Sequence, residues 1–418
     1  MQQIARIALE NYRNLSLKEG MTLRPLNIFI GPNGSGKSNL IRFLRFIHDT
    51  LGSQGSVDGA FEKAVQTFGA NRILNFQASS ATVDLSILLD LFEGVRTEFN
   101  TELISIFPRV IPQRESLWLD PAGTQSERFP YYDVHSEMPG EGVVSVYTDI
   151  EKRTVQSERV YALPSKQFVF HSLQTFLEKS NLPPRDIPYH EERRRVMEFV
   201  DKWRFYNATD MPSSGIKAAT PKLGMRDDTL SESGENLSLV LYNLVKEFVD
   251  FGQELQEAMT QLFPRTRWLR AIEVIGTSIQ LEWYVGDNKE PFSLKEMSDG
   301  TIRMLCWAAI LLSPKPASLI ALDEPEMGIH PSWLGILAGW ITRASRKTQV
   351  ILSTHSPDLL DYFTEERESV YVFSTDPDNM TSNLVKPLKE EWLKPKLEEG
   401  WQLGDLYRVG DPAVGGWE

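Results

Sequence analysis

Cysteine is nearly absent from this chain of 418 residues, in which Cys306 is the only one. A single cysteine excludes an internal disulfide framework and is typical of proteins that work in a reducing compartment. Cys306 lies in the apolar run MLCWAAILL. We therefore interpret it as a small buried side chain rather than as a reactive thiol.

Long apolar runs are also missing. No run is long enough to cross a bilayer, and the N-terminal MQQIARIALENYRNL lacks the apolar segment of a secretory signal. The sequence contains no internal repeat. We therefore expect a cytoplasmic protein that has no membrane partner.

Basic residues are outnumbered, with 44 Lys and Arg against 57 Asp and Glu, for a net charge of −13. The molecule as a whole should repel nucleic acid, although a local basic groove can still bind it. The basic stretch EERRRVMEFVDKWRFY, residues 191–206, also contains acids. We interpret it as a solvated helix face; phosphate contacts by its arginines would instead give binding a strong salt dependence.

Hydrophobic periodicity predicts the secondary structure. Alternation in QIARIALENYRNLSL and LNIFI predicts strands, SNLIRFLRFIHDTL a helix, and ATVDLSILLDL with EFNTELISIF a strand pair. Residues 107–165 are rich in Pro and Gly and are predicted to be loop. EERRRVMEFVDKWRFY and ENLSLVLYNLVKEFVDFGQELQEAMTQLF are predicted to be helical, and IEVIGTSIQLEWYV to return to strand. Beyond residue 298 helices and strands alternate, which indicates a largely parallel sheet.

The segment GPNGSGKS, residues 31–38, lies between a predicted strand and a predicted helix and matches GxxxxGK[ST]. Its glycines allow successive backbone N–H groups to surround the α- and β-phosphates at a helix N-terminus. Lys37 would reach the β- and γ-phosphate oxygens, and the Ser38 hydroxyl would ligate Mg²⁺. An ordinary glycine-rich turn would leave both residues without a purpose. We therefore predict a nucleoside triphosphate site.

The segment ASLIALDEPEMGIHP, residues 317–331, is predicted to be an apolar strand that ends in adjacent carboxylates. Asp323 would hold Mg²⁺ through water, as a Walker B aspartate does. Glu324 would point the opposite way and polarise the attacking water. Adjacent acids at a strand end are common surface features, and it is the phosphate loop upstream that favours the functional interpretation.

Two further polar residues precede or follow these strands. Ser298, in EMSDGTIRMLCWAAILL, is predicted to be a helix N-cap, and the free N–H groups of that helix could hold a γ-phosphate. His355 ends the strand in QVILSTHSPDLL and should emerge beside the same phosphates as a γ-phosphate sensor. Capping alone and a structural histidine are the alternatives.

These four motifs, in this order, resemble those of the ABC-class head ATPases. That class includes RecF-like recombination proteins, structural-maintenance-of-chromosomes heads, and ATPases of OLD-type, Septu, PARIS and retron-type antiphage systems. The resemblance covers about residues 1–80 and 235–418. LKEMSDGTIRML, LIALDEPEMGIHP and ILSTHSPDLL are most similar to the stand-alone bacterial ATPases of antiphage defence.

The resemblance implies a head-to-tail dimer around two ATP molecules, or a higher homo-oligomer. In the phosphate loop it implies nucleotide contacts in cis from Gly31, Asn33, Gly34, Ser35, Gly36, Lys37, Ser38 and Asn39. Arg13, in NYRNL, matches a family position near the phosphates. Ser298 and Gly300 would form the signature loop that completes the site of the partner in trans.

The resemblance also assigns the chemistry. Glu324 would be the general base, Lys37 and His355 would be catalytic as well, and Ser38 and Asp323 would hold Mg²⁺. The chain departs from the class at Asp299, where the signature has glycine, because a carboxylate near a triphosphate is unfavourable unless it points away. Gln77 is a candidate for the glutamine loop, and an ordinary polar loop residue is the alternative.

We therefore expect an α/β fold, the ABC-ATPase head of the P-loop NTPases, with a mixed β-sheet, an antiparallel N-terminal β subdomain and a helical lobe. It should be one composite ATPase domain. Residues 1–100 would form the N-terminal lobe with the phosphate loop, and residues 101–234 a partly helical, family-variable insertion. Residues 235–418 would form the C-terminal lobe with the signature, the acidic strand and His355.

OLD-type relatives also carry a Toprim nuclease, and FSTDPDNM offers Asp376 and Asp378 as metal ligands. Only 418 − 355 = 63 residues follow His355, too few for that domain, so we predict a turn there instead. The predicted function is an ATPase that switches a separate effector, a nuclease or toxin, in bacterial antiphage defence. A RecF-like DNA-repair ATPase is the alternative; a transporter ATPase is less favoured because no feature requires a bilayer.

Overall fold

The protein is represented by a computed structural model, which describes residues 1–68, 73–74, 81–92, 95–106, 109–121, 129–138, 140–149, 154–161, 163–164, 166–173, 189–221, 226–274, 278–376 and 379–415. Its contacts divide the chain into two interleaved units. Unit one comprises Met1–Arg24, Gly31–Trp203 and Tyr371–Pro387. Unit two comprises Pro25–Ile30, Arg204–Val370 and Leu388–Glu418. The expected division at residues 100 and 234 stays a prediction.

The described residues form strands and helices that we number in chain order. The strands are β1 (Gln3–Tyr12), β2 (Leu15–Thr22), β3 (Leu26–Ile30), β4 (Thr82–Phe92), β5 (Val95–Ile106), β6 (Arg109–Pro121), β7 (Phe129–Met138), β8 (Glu141–Asp149), β9 (Thr154–Val160), β10 (Trp203–Asn207), β11 (Thr266–Val274), β12 (Ser278–Val285), β13 (Phe292–Ser293), β14 (Leu319–Asp323), β15 (Gln349–Ser353), β16 (Val370–Asp376) and β17 (Asn379–Pro387). The α-helices are α1 (Lys37–Leu51), α2 (Ala60–Thr67), α3 (Tyr189–Val200), α4 (Ser213–Ala218), α5 (Leu237–Glu247), α6 (Val249–Leu262), α7 (Asp299–Leu311), α8 (Leu334–Ala344), α9 (Pro357–Asp361), α10 (Glu390–Glu398) and α11 (Leu403–Arg408).

Unit one is built on a largely antiparallel sheet with the strand order β16-β17-β2-β1-β4-β5-β6-β7-β8-β9. Helix α1 carries the predicted apolar stripe, because Leu40, Phe43, Leu44 and Ile47 are all buried. An aromatic cluster lies beside it, in which Phe46 contacts Phe61 edge-on at a centroid distance of 6.0 Å. Edge-to-face contacts of this kind add to the burial of apolar surface.

The loop predicted for residues 107–165 is wrong. Strands β6 to β9 occupy most of the described residues of this stretch. Pairing shifts register between Leu117 and Trp118 and again between Ser136 and Met138. Each such shift breaks the alternation of inward and outward side chains. A pattern search with a period of two therefore fails on these strands.

Unit two contains a sheet with the strand order β10-β14-β15-β3, in which β14, β15 and β3 run parallel. A separate antiparallel sheet is formed by β11, β12 and β13. The alternation of helix and strand predicted beyond residue 298 is confirmed by α7, β14, α8, β15 and α9. Cys306 is fully buried, and burial raises the pKa of its thiol to about 12, as expected for an unreactive side chain.

Two long helix predictions are wrong in part, because one ends too late and the other spans a break. Helix α3 stops at Val200, and Trp203 and Phe205 belong to β10, where both are buried. The stretch after Glu235 is broken at Phe248, which separates α5 from α6. Among the described residues, no helix combines the length and apolar character that a bilayer crossing requires.

Candidate functional site

Three glycines with positive φ shape the phosphate loop. Gly31, Gly34 and Gly36 have φ values of 141°, 81° and 99°. A Cβ atom on Gly31 would lie 2.1 Å from the backbone oxygen of Phe373, so only glycine fits there. Gly36 is the N-cap residue of α1. Among the described residues, no side chain caps the N-terminus of this helix. Such a helix start presents backbone N–H groups to an anion.

Lys37 is folded into this loop, with 4% of its surface exposed. Its Nζ atom donates to the backbone oxygens of Gly31 at 2.7 Å and Pro32 at 3.0 Å, and lies 3.5 Å from Oγ of Ser35. These acceptors are neutral, and a phosphate oxygen binds an ammonium group more strongly. The position of Lys37 therefore fits the predicted contact with a phosphate.

The remaining loop residues differ in exposure. Asn33 is exposed, Ser35 is buried at 2%, and Ser38 is half-buried in the first turn of α1. The N–H of Ser35 donates to the backbone oxygen of Pro32 at 3.2 Å. Ser38 thus lies where a hydroxyl ligand of Mg²⁺ would be placed by the predicted motif.

A chain of polar side chains supports the loop from the outside. Asn14 and Asn383 both donate to the backbone oxygen of Gly34, at 2.8 and 3.2 Å. Asn39 donates to Oδ1 of Asn14 at 2.6 Å, and Arg13 donates to Oδ1 of Asn39 at 3.2 Å. Arg13 and Asn39 therefore lie beside the loop, and their contact with a nucleotide stays a prediction. Asn14 and Asn383 were missed; only the pairing of β17 with β2 brings Asn383 there.

The predicted acidic strand end lies in unit two. Asp323 is the last residue of β14, and Asn207 donates to its Oδ2 at 3.2 Å. Parallel pairing places Asp323 opposite Ser353, which in turn lies opposite Phe29. The carboxyl ends of β14, β15 and β3 thus share one edge of the sheet, and the phosphate loop follows β3 directly in the sequence. Asn207 carries no sequence signal that could have identified it.

Glu324 and His355 face each other in unit two. Glu324 has a φ of 51°, and its N–H donates to the backbone oxygen of Ser353 at 2.9 Å. Nε2 of His355 lies 3.5 Å from Oε1 of Glu324. Both side chains are about a third exposed, at 28% and 35%. The predicted base and the predicted sensor are therefore within reach of each other and of solvent.

The predicted helix cap at Ser298 is confirmed. Its Oγ accepts from the N–H of Thr301 at 3.2 Å. A Cβ atom on Gly300 would lie 3.2 Å from the backbone oxygen of Gly328. Lys217 donates to Oδ1 of Asp299 at 2.9 Å. That bond, with a smaller contribution from Ser213, lowers the pKa of Asp299.

The sequence also offered three weaker candidates, Gln77, Asp376 and Asp378. Gln77 and Asp378 lie outside the described residues, and Asp376 ends β16. The described residues contain no group of three or more His, Cys, Asp and Glu side chains that could hold a metal ion.

The basic helix α3 is neutralised by its own acids. Arg194 pairs with Glu198 at 3.8 Å, and Arg195 pairs with Glu191 and Glu192 at 3.6 and 3.3 Å. Pairs of this kind, three or four residues apart, are typical of a solvated helix face. The exposed pair of Arg194 and Glu198, at 69% and 60%, supports a solvated surface there, whereas Glu192 is buried and accepts from the hydroxyl of Thr97.

A described protein family matches most of the chain. The family described as "AAA domain, putative AbiEii toxin, Type IV TA system" matches residues 26–134 and 150–361, well over half of the chain. The chain therefore belongs to this family. No curated protein matches the chain.

Solved structures show the same fold. The Smc head bound to the C-winged helix domain of ScpA has a TM-score of 0.54 and 13% identity, covering 93% of this chain and 99% of its own. The Smc head with an extended coiled coil, bound to the C-terminal domain of ScpA from Pyrococcus furiosus, has a TM-score of 0.50 and 13% identity, covering 96% and 99%. The predicted fold class, an α/β fold with a mixed β-sheet and helices, is confirmed, and it is the fold of these Smc heads.

Proposed function

We propose that this chain, as a member of that AAA-domain family, binds and hydrolyses ATP. The observation that carries the proposal is the buried ammonium group of Lys37, which donates to the backbone oxygens of Gly31 and Pro32 inside a loop of three positive-φ glycines. A buried cation beside uncapped helix N–H groups is a site for a polyanion. The carboxylate of Asp323 at the end of β14 would be a ligand of the metal ion that accompanies a triphosphate.

Ser38 and Asp323 carry the hydroxyl and carboxylate oxygens that a magnesium ion prefers as ligands. Ser38 and Asp323 would hold it, and the ion would neutralise charge on the phosphate oxygens. Lys37 would bind the β- and γ-phosphates, and Arg13 and Asn39 would support the loop from outside. Gly31, Asn33, Gly34, Ser35 and Gly36 would supply the loop itself.

Glu324 would act as the general base. Water attacks the γ-phosphorus, its proton passes to the Glu324 carboxylate, and the bond from phosphorus to the leaving oxygen of ADP breaks. His355, 3.5 Å from Glu324, would hold the base and contact the γ-phosphate. Partial exposure of both side chains lets water reach them.

Two copies would complete each site. The loop at Ser298 and Gly300 would bind the triphosphate of the partner, so that ATP favours the dimer and hydrolysis releases it. A ligand shifts such an equilibrium only by its differential affinity for the two states. Pairing of Asp299 with Lys217 supports this role, because it balances the charge of the unusual carboxylate.

The switch would act on a separate effector, a nuclease or a toxin, in bacterial antiphage defence. The family description names a toxin of a type IV toxin–antitoxin system, and both Smc heads are bound to a second protein. The toxin–antitoxin pairing and the second protein on both Smc heads support a protein partner, whereas the family description gives the name of toxin to the family itself. Isolation of the tagged chain with its genomic neighbours co-expressed identifies that partner.

Replacement of the base tests the mechanism. In Glu324→Gln we expect ATP turnover to fall at least about a hundredfold while ATP is still bound. Light scattering should show a dimer that forms with ATP and persists. In Lys37→Ala we expect ATP affinity to fall at least about tenfold, because a charged hydrogen bond is lost.

The matched control is Glu365→Gln, at an exposed carboxylate of the same unit. It should keep the wild-type turnover. Unchanged turnover in Glu324→Gln refutes the base, and unchanged affinity in Lys37→Ala refutes the nucleotide site.

A further inference from the structure

Glu326 is a carboxylate that the proposed mechanism leaves without a role. It lies in the turn after β14, where the N–H of Met327 donates to the backbone oxygen of Glu324 at 3.2 Å. Its Oε1 accepts from the hydroxyl of Thr354 at 2.6 Å and from the N–H of His355 at 3.2 Å. One carboxylate oxygen thus binds the segment that carries His355.

The partners of Glu326 are themselves fixed. The N–H of Thr354 donates to the backbone oxygen of Phe29 at 3.1 Å, and its Oγ1 accepts from the N–H of Ser356 at 3.0 Å. Thr354 is 1% exposed. The backbone on both sides of His355 is therefore held by a chain of hydrogen bonds that ends on Glu326.

The second oxygen of Glu326 is unusual. Oε2 is buried, and among the described atoms it has no hydrogen-bond partner. Burial raises the pKa of Glu326, which the bonds from Thr354 and His355 oppose and the nearby charge of Glu324 reinforces. A buried unpaired acceptor is costly, by about 1–3 kcal/mol. Packing alone therefore does not account for a carboxylate at this position.

The turn that carries Glu326 also contacts α7 at two places, at Trp307 in the body of the helix and at Gly300 near its start. Nε1 of Trp307 donates to the backbone oxygen of Pro325 at 3.0 Å. The backbone oxygen of Gly328 approaches Gly300 closely enough that a Cβ atom there would lie 3.2 Å away. The same turn thus meets the helix at whose start Ser298 lies.

We infer that Glu326 is a positioning residue, which holds the ring of His355 facing Glu324 and ties both to the start of α7. The inference rests on the proposed function, because His355 and Glu324 are the groups that it orients. Glu326 itself touches no reacting atom in this arrangement. Its effect should therefore appear in the chemical step and be absent from nucleotide binding.

Graded variants test this role. In Glu326→Ala we expect kcat for ATP to fall about tenfold, with KM within about twofold of the wild type, because an orienting hydrogen bond is lost. Glu326→Gln keeps an oxygen acceptor of the same shape and should recover most of kcat. Thr354→Val removes one of the two bonds to Glu326, together with the bond from the N–H of Ser356, and should give an intermediate kcat. Glu365→Ala, at an exposed carboxylate, is the control.

A double-mutant cycle separates orientation from general stability. With His355→Ala already present, Glu326→Ala should cause no further loss of kcat, because the group that it orients is gone. Equal losses in both backgrounds, or a wild-type kcat in Glu326→Ala, overturn the inference. Should Glu326→Ala fail to fold, the kcat of Thr354→Val in the two backgrounds decides in the same way.

A spectroscopic readout keeps this test independent of hydrolysis. The ring resonances of His355 can be assigned among the six histidines by comparison with His355→Ala. They should shift in Glu326→Gln and more strongly in Thr354→Val, and stay in place in Glu365→Ala. Unmoved resonances overturn the inference. If the wild-type protein shows no ATP turnover, the proposed function is refuted. The His355 ring resonances still test whether Glu326 positions that ring.

Discussion

Nζ of Lys217 lies 2.9 Å from Oδ1 of Asp299, the first residue of α7. Lys217 comes from α4, 82 residues earlier in the chain. The Asp299 side chain is 66% exposed, so the pair contributes little to folding. Its consequence is electrostatic: a carboxylate beside the predicted signature loop is balanced by a cation.

Removing that cation should weaken the proposed dimer. In Lys217→Met we expect ATP-dependent self-association to weaken about fivefold, because an unpaired carboxylate then faces the triphosphate. Asp299→Asn in the same chain should restore it. Sedimentation measures self-association in chains that also carry Glu324→Gln, so that ATP is not consumed. The free energy of unfolding in urea should change little. The dimer dissociation constant should therefore differ between the parent chain, Lys217→Met and the double variant. The same constant in all three would count against a site shared between copies.

Two glycines of the phosphate loop should differ in their tolerance of alanine. Gly31 and Gly34 both have positive φ, which costs alanine about 1–2 kcal/mol. At Gly31 the new Cβ atom would also meet the backbone of Phe373 at 2.1 Å, whereas at Gly34 no described atom lies within 4 Å. We expect Gly31→Ala to lower the free energy of unfolding by about 1–3 kcal/mol more than Gly34→Ala.

Urea unfolding of the two alanine variants side by side measures this difference. Each is the control for the other, because both replace a glycine of positive φ in the same loop. Equal losses would show that the close approach to Phe373 is not maintained in solution.

Glu115 should make the stability depend on pH. Its carboxyl group is buried at 1% exposure and accepts from Tyr132, Val169 and Phe170 at 2.6–2.7 Å. Burial raises its pKa from 4.5 to about 7, against the effect of those hydrogen bonds. The folded state therefore binds the proton more tightly than the unfolded state. The resulting stabilisation is complete below pH 4.5 and is lost as the pH rises to about 7.

Glu115→Gln removes that proton equilibrium and keeps an acceptor of similar shape. Between about pH 5 and about pH 8, the wild type should lose more free energy of unfolding than the variant does. Urea titrations at the two pH values measure the difference. The same pH dependence in both proteins would place the titration elsewhere.

The helices and strands were predictable where one local rule governs the chain. The apolar face of α1 and the alternation of helix and strand beyond residue 298 follow from periodicity alone. The prediction failed at β6 and β7, where register shifts break the period. It also failed at Trp203 and Phe205, because a buried strand directly follows an amphipathic helix.

By itself, the amino-acid sequence determined the kinds of groups at the candidate site, because each of them belongs to a local pattern. These patterns are a glycine loop with Lys37, a strand that ends in Asp323 and Glu324, and a helix cap at Ser298. Only the tertiary structure decided which groups support them. Asn383 reaches Gly34 through sheet pairing, and Lys217 reaches Asp299 across the unit. The carboxylate of Glu326 accepts from the N–H of His355, which is 29 residues later in the chain. Such partners lie far apart in the chain, and no local spacing rule encodes a contact that long-range packing creates.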